Sequence, residues 1–228
     1  MNLKLLLIAG LTALCGCNSP ATAGEFDPIP FSAQERELRT GYETILRESP
    51  DPDAALSLAR LLVMHNEFDA AGKLLEPLVE GSNSNPQAKV WLGVLTTKRA
   101  GAAIPWDMGI RKIYLAKKGL RLIDEAYAEA PKDFDVRVTS IIAGASVGRF
   151  GALEKAVARA KDLEATLSDS TLGYTAGAVA AIHLAIATVR LAEGRKDLAK
   201  ASIGSAKASS PSEDIAWQIS RLETKIGS

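Results

Sequence analysis

Residues 51–86 read DPDAALSLARLLVMHNEFDAAGKLLEPLVEGSNSNP, and the two ends of this stretch repeat each other. Asp51-Pro52 and Asn85-Pro86 each place a capping side chain before a helix-opening proline, and the two prolines stand 34 residues apart. Between them, apolar residues recur at three- and four-residue spacing on both sides of Asn66-Glu67. The stretch therefore predicts two helices joined by a short turn. A hairpin of this kind cannot bury its apolar faces alone, so a fixed period predicts stacking on neighbouring copies.

The same pattern extends outward in both directions. Leu58-Ala59, Leu62, Asn66 to Ala71, Leu75 and Leu78 form one copy; Ile186-Ala187, Gly194 to Ala199, Ile203, Ala206 and Pro211 form another. Between them lie two degenerate copies, Leu92-Gly93 to Ala126 and Pro131, and Phe134 to Thr166 with Gly148-Arg149-Phe150 at the turn. In spacing and in the placement of small residues these segments resemble the tetratricopeptide (TPR) family, with Trp91-Leu92-Gly93 carrying part of the family's opening motif in a displaced register. The resemblance implies an all-α fold, an α-solenoid of stacked helix-turn-helix hairpins in a right-handed superhelix. We expect four hairpins over residues 32–228, flanked by end helices at Ser32–Glu48 and Ser210–Lys225. Ser32 with Glu35 has the spacing of a capping box.

The N-terminus reads differently. Lys4 followed by Leu5 to Leu14 has the layout of an export signal, and about ten apolar residues are too few to span a bilayer. Leu14-Cys15-Gly16-Cys17 resembles the bacterial lipobox, which implies cleavage after Gly16 and a lipid on the sulfur of Cys17, palmitate among its acyl chains. An ordinary secretory signal cut near Ala21-Thr22-Ala23 is the alternative; either way the protein is exported. The expected organisation is a signal peptide over 1–16, a flexible tether over 17–31 that begins at the lipidated Cys17, and the repeat domain. By resemblance to sorted lipoproteins, Asn18 in place of Asp favours the outer membrane, facing the periplasm.

Composition narrows the chemistry. The chain of 228 residues has 27 basic and 27 acidic side chains, so it lacks the positive field of a dedicated nucleic-acid binder. Its only histidines, His65 and His183, are 118 residues apart, with no His or Cys cluster to hold a metal, and each reads as a packing residue. There is no phosphate-binding loop ending in Lys-Ser/Thr, and no cofactor is expected. Gly144-Ala145-Ser146-Val147-Gly148 carries the letters of a nucleophile elbow, but the preceding residues have a helical pattern where that motif needs a strand. No catalytic residue is therefore expected.

Charge is unevenly spread. Residues 98–121 hold seven basic side chains against Asp107 alone, whereas residues 35–80 hold ten acidic against five basic. An insertion at 100–109 places Trp106 beside the basic stretch, where it either docks a partner or plugs the gap between two helices. Carried over by register, the family's groove positions imply partner contacts at Arg60, Val63, Met64, Gln87, Val94, Lys98, Leu184 and Thr188, with Trp106 added from the insertion. The expected function is a membrane-anchored, non-enzymatic scaffold that holds a protein or peptide in that groove. A solute- or lipid-binding accessory of an envelope transporter, with Tyr174–Ala181 as a pocket wall, is the alternative; an envelope hydrolase is a third reading.

Overall fold

The computed structural model describes residues 26–81, 84–103 and 109–227. It divides into two compact units, which part between Pro131 and Lys132. The first carries α1 (Ala33–Glu48), α2 (Pro52–Met64), α3 (Phe68–Val79), α4 (Pro86–Ala102) and α5 (Ile110–Glu129). The second carries α6 (Phe134–Val147), α7 (Ala152–Ala165), two short 3-10 turns (Thr166–Ser168 and Ser170–Leu172), α8 (Ala176–Ala192), α9 (Lys196–Ala208) and α10 (Glu213–Gly227). All the regular structure among the described residues is helical.

Consecutive helices pair as α2/α3, α4/α5, α6/α7 and α8/α9, with α1 packed on α2, and α10 on α8 and α9. Four hairpins with a flanking helix at each end is the arrangement expected from the spacing. The starts form for local reasons. Asp51 accepts from the backbone N–H groups of Asp53 and Ala54, and Asn85 from those of Gln87 and Ala88, with Pro52 and Pro86 at the first helical positions. Ser32 and Glu35 close both halves of the capping box.

Small residues set the close approaches. A Cβ on Gly93 of α4 would sit 2.7 Å from the Ile123 side chain and 2.8 Å from the Gly119 carbonyl; one on Gly119 would meet the Gly93 carbonyl at 2.6 Å. The two backbones touch where neither residue has a side chain. In α6, a Cβ on Gly144 would lie 2.9 Å from the Ala152 carbonyl of α7, and Gly148, with φ 63°, ends the helix in the left-handed region.

Two boundaries differ from expectation. Ser210 does not cap α10: it has φ 52° just beyond α9, and the next helical hydrogen bond starts at Ser212, whose carbonyl accepts from Ala216. The serine is used up reversing the chain. Residues 27–31, expected to be part of a flexible tether, are bound to the body of the first unit through Asp27, Ile29 and Phe31.

Candidate functional site

The first helices of the hairpins were expected to show one face to a groove. Instead, α2 is buried on all sides from Ala54 to Met64 apart from Ser57, and α6 from Val138 to Val147 without interruption. In α8, Leu184 to Val189 are all buried. Helices apolar around their whole circumference belong inside a protein. The expected groove residues are corrected accordingly: Arg60, Val63, Met64, Val94, Lys98, Leu184 and Thr188 are buried and do not line an open surface, and Gln87 is half-buried. Trp106 and Cys17 lie outside the described residues.

Several of these side chains meet, but as internal packing. Arg60 Nη2 donates to Gln87 Oε1 at 2.9 Å, and its guanidinium lies 5.8 Å from the Trp91 ring centre. Lys98, only 1% exposed, donates through Nζ to the Val63 carbonyl at 2.8 Å and to Asn66 Oδ1 at 2.9 Å. Its ammonium thus caps the C-terminal end of α2, where the helix dipole favours a cation. In the second unit Thr188 donates to the Leu184 carbonyl at 2.9 Å.

The densest polar cluster surrounds the α2–α3 turn, His65-Asn66-Glu67. Ile29 exchanges hydrogen bonds with His65: its N–H donates to the His65 carbonyl at 2.9 Å, and its carbonyl lies 2.9 Å from Nδ1. Phe31 stacks on the imidazole with ring centres 3.9 Å apart, Arg39 lies over Phe31, and Glu35 Oε1 is 3.1 Å from His65 Nε2. Asn66, in the left-handed region at φ 60°, donates to the Asp27 carbonyl at 2.9 Å. Arg39 bridges Glu43 and Glu67. Partial burial raises the Glu35 carboxyl, but hydrogen bonds from Ser32 and the neighbouring His65 outweigh it and hold the group below the usual carboxylate range. His65 thus clamps the incoming chain.

His183, on α8, is kept below its ordinary value, chiefly by burial, with Glu164 opposing the shift and Arg190 adding to it. Ser146 is buried within α6, so the strand-to-helix turn of an elbow is absent there. Among the described residues no group of three His, Cys, Asp or Glu side chains is placed to hold a metal, and no helix is long and apolar enough to cross a membrane.

The basic stretch splits in two. Lys98 and Arg99 turn inward, Arg99 donating to the Phe68 carbonyl at 2.9 Å and approaching Asp69 and Glu76. The remaining cations, Arg111, Lys112, Lys117, Lys118 and Arg121, all lie on α5, where Ile110, Ile113 and Tyr114 are exposed large apolar groups. The sequence reading missed these three. Ile110 and Tyr114 lie opposite Ala116, Gly119 and Ile123, and Ile113 borders the buried arc beside Leu120, an arrangement that periodicity counts but does not place.

No protein-family profile matches the chain, and no curated protein matches it. Among solved structures, the chain is similar to a thermophilic TPR protein of Thermus thermophilus, with a TM-score of 0.62 at 21% identity, covering 84% of this chain and 91% of that chain. The fold is TPR-like. At this identity the likeness speaks for architecture, which agrees with the helix pairs and end helices described above.

Proposed function

We propose that this chain is a non-enzymatic scaffold for a protein or peptide partner, held in the bacterial cell envelope by a lipid on Cys17 and facing the periplasm from the outer membrane. The observation that carries the reading is the TPR-like stack of hairpins, a fold that typically binds proteins and performs no chemistry of its own. The partner contacts of this reading are sought on exposed faces, where Ile45, Phe150, Leu198 and Trp217 stand out. Rigid helices present such side chains with little ordering cost on binding. Membrane attachment rests on the lipobox resemblance of Leu14 to Cys17.

The test is palmitate labelling and membrane fractionation of the wild type and Cys17→Ala, followed by affinity capture after cross-linking in intact cells. A labelled, membrane-bound wild type that brings down a defined protein, with label lost in Cys17→Ala, supports the reading. An unlabelled protein overturns the anchor. A co-purifying small molecule in place of any protein overturns the scaffold.

A further inference from the structure

The α4–α5 pair has a register that can be read from its contacts. Gly93 meets Gly119 and Ile123, and a Cβ on Gly119 would sit 2.6 Å from the Thr97 methyl, so each step toward the end of α4 is matched by a step toward the start of α5. Gly101 therefore lies level with the Arg111–Leu115 turn, centred on Ile113, and α4 ends one residue later at Ala102. The first turn of α5, from Ile110, runs past that end by about 3 Å at 1.5 Å per residue. Ile110 and Tyr114 are 62% and 63% exposed, and Ile113 is 46% exposed. At about 100° per residue, Lys117, Lys118 and Arg121 follow Ile110 and Tyr114 along the face opposite the buried Ala116, Gly119 and Ile123. The result is a tip where Ile110, Ile113 and Tyr114 are interleaved with Arg111 and Lys112, followed by a flank of Lys117, Lys118 and Arg121, the last 3.5 Å from Glu125.

The incoming chain reaches the same end of this pair. A Cβ on Gly101 would lie 2.3 Å from the Phe26 ring, so Phe26 sits against the last turn of α4. Nine residues separate Phe26 from Cys17, a reach of at most about 31 Å at roughly 3.4 Å per residue. A bilayer that holds a lipid on Cys17 is then within range of the first turns of α5, and the contact is intramolecular, which raises its effective concentration.

We propose that the Ile110–Arg121 face of α5 rests on the anionic surface of the membrane that carries the lipid anchor, with Ile110, Ile113 and Tyr114 entering the headgroup region and Lys117, Lys118 and Arg121 meeting lipid phosphates. Aliphatic groups, an interfacial aromatic and flanking cations are the side chains that such a surface binds. The anchor alone leaves the body free to rotate; this second contact fixes which faces point toward a partner. The inference rests on the lipid anchor of the proposed function and adds a bilayer contact that the anchor does not require.

The test uses the full lipidated protein in vesicles of phosphatidylcholine with or without phosphatidylglycerol. The readout is the alkylation rate of Tyr114→Cys by a water-soluble maleimide, with Ile45→Cys as the exposed reference. The expected result is about a five-fold or greater slowing at position 114 on the anionic vesicles only, at unchanged Ile45→Cys rate. Adding Lys117→Glu, Lys118→Glu and Arg121→Glu together restores the rate, while the thermal melt confirms that this variant is folded. Equal rates on both vesicle types overturn the membrane contact and leave the anchor standing, because intact mass reports the Cys17 lipid separately. Protection on both vesicle types that is traced to a bound acidic protein assigns the face to that protein and likewise overturns the proposal. A Cys17 mass without lipid removes the anchor and this inference with it.

Discussion

Lys98 is a long apolar stem ending in an ammonium that the sequence offers as a groove contact, and the fold uses it as an internal cap. Its bonds to the Val63 carbonyl and to Asn66 hold the end of α2 and a left-handed turn in one geometry. Lys98→Met keeps most of the volume and removes the donor that Val63 O and Asn66 Oδ1 share, so urea unfolding should show a loss of about 2 kcal/mol with the m-value unchanged. A loss below about 0.5 kcal/mol would mean that the two acceptors find other donors. Glu35 makes a pH-dependent contribution. Its folded pKa is below the ordinary 4.5, so its stabilisation is complete above that value and is lost as pH falls through the lowered one. Glu35→Gln should be less stable than wild type by about 1 kcal/mol at neutral pH, and unfolding curves should show the gap closing in acid. A gap independent of pH would assign the residue a purely steric role.

At the scale of elements, what could be read from the sequence was what is local. Asp51-Pro52 and Asn85-Pro86 specify helix starts because cap and backbone lie within three residues of each other, and the 34-residue spacing follows from them. The end helix expected from Ser210 instead starts at Glu213, and Ser210 stands in the left-handed region at φ 52°. Nor could the sequence show that α2 from Leu58 to Met64, α6 from Val138 to Val147 and α8 from Leu184 to Val189 are buried without interruption, since that depends on neighbours distant in the chain. The role of Gly93 and Gly119 came from the same source: the pair matters only because α4 and α5 cross at those residues. Gly119→Ala should cost about 1–3 kcal/mol, since its Cβ would strike backbone at 2.6 Å. Gly204→Ala, in the middle of α9 with nothing within 4 Å, should raise stability by about 0.5–1 kcal/mol. Thermal unfolding of the two variants should move in opposite directions; a shared direction would contradict the close approach of α4 and α5.

At the scale of the whole molecule, the sequence conveyed a helical repeat fold, while the side chains it offered for partner contact are mostly buried. The groove positions carried over from the TPR pattern became core, and the exposed apolar groups lie on faces that the pattern leaves unassigned. Under the proposed scaffold reading, the outward side chains are where partner contact is to be sought. The most direct measurement is photo-cross-linking in intact cells from a benzoylphenylalanine placed in turn at Ile45, Leu198 and Trp217, each exposed and replaceable without disturbing the core. The account predicts a discrete protein adduct from at least one of these positions, the same protein each time it appears. Adducts absent from all three, with a small molecule retained by the purified protein, would contradict it.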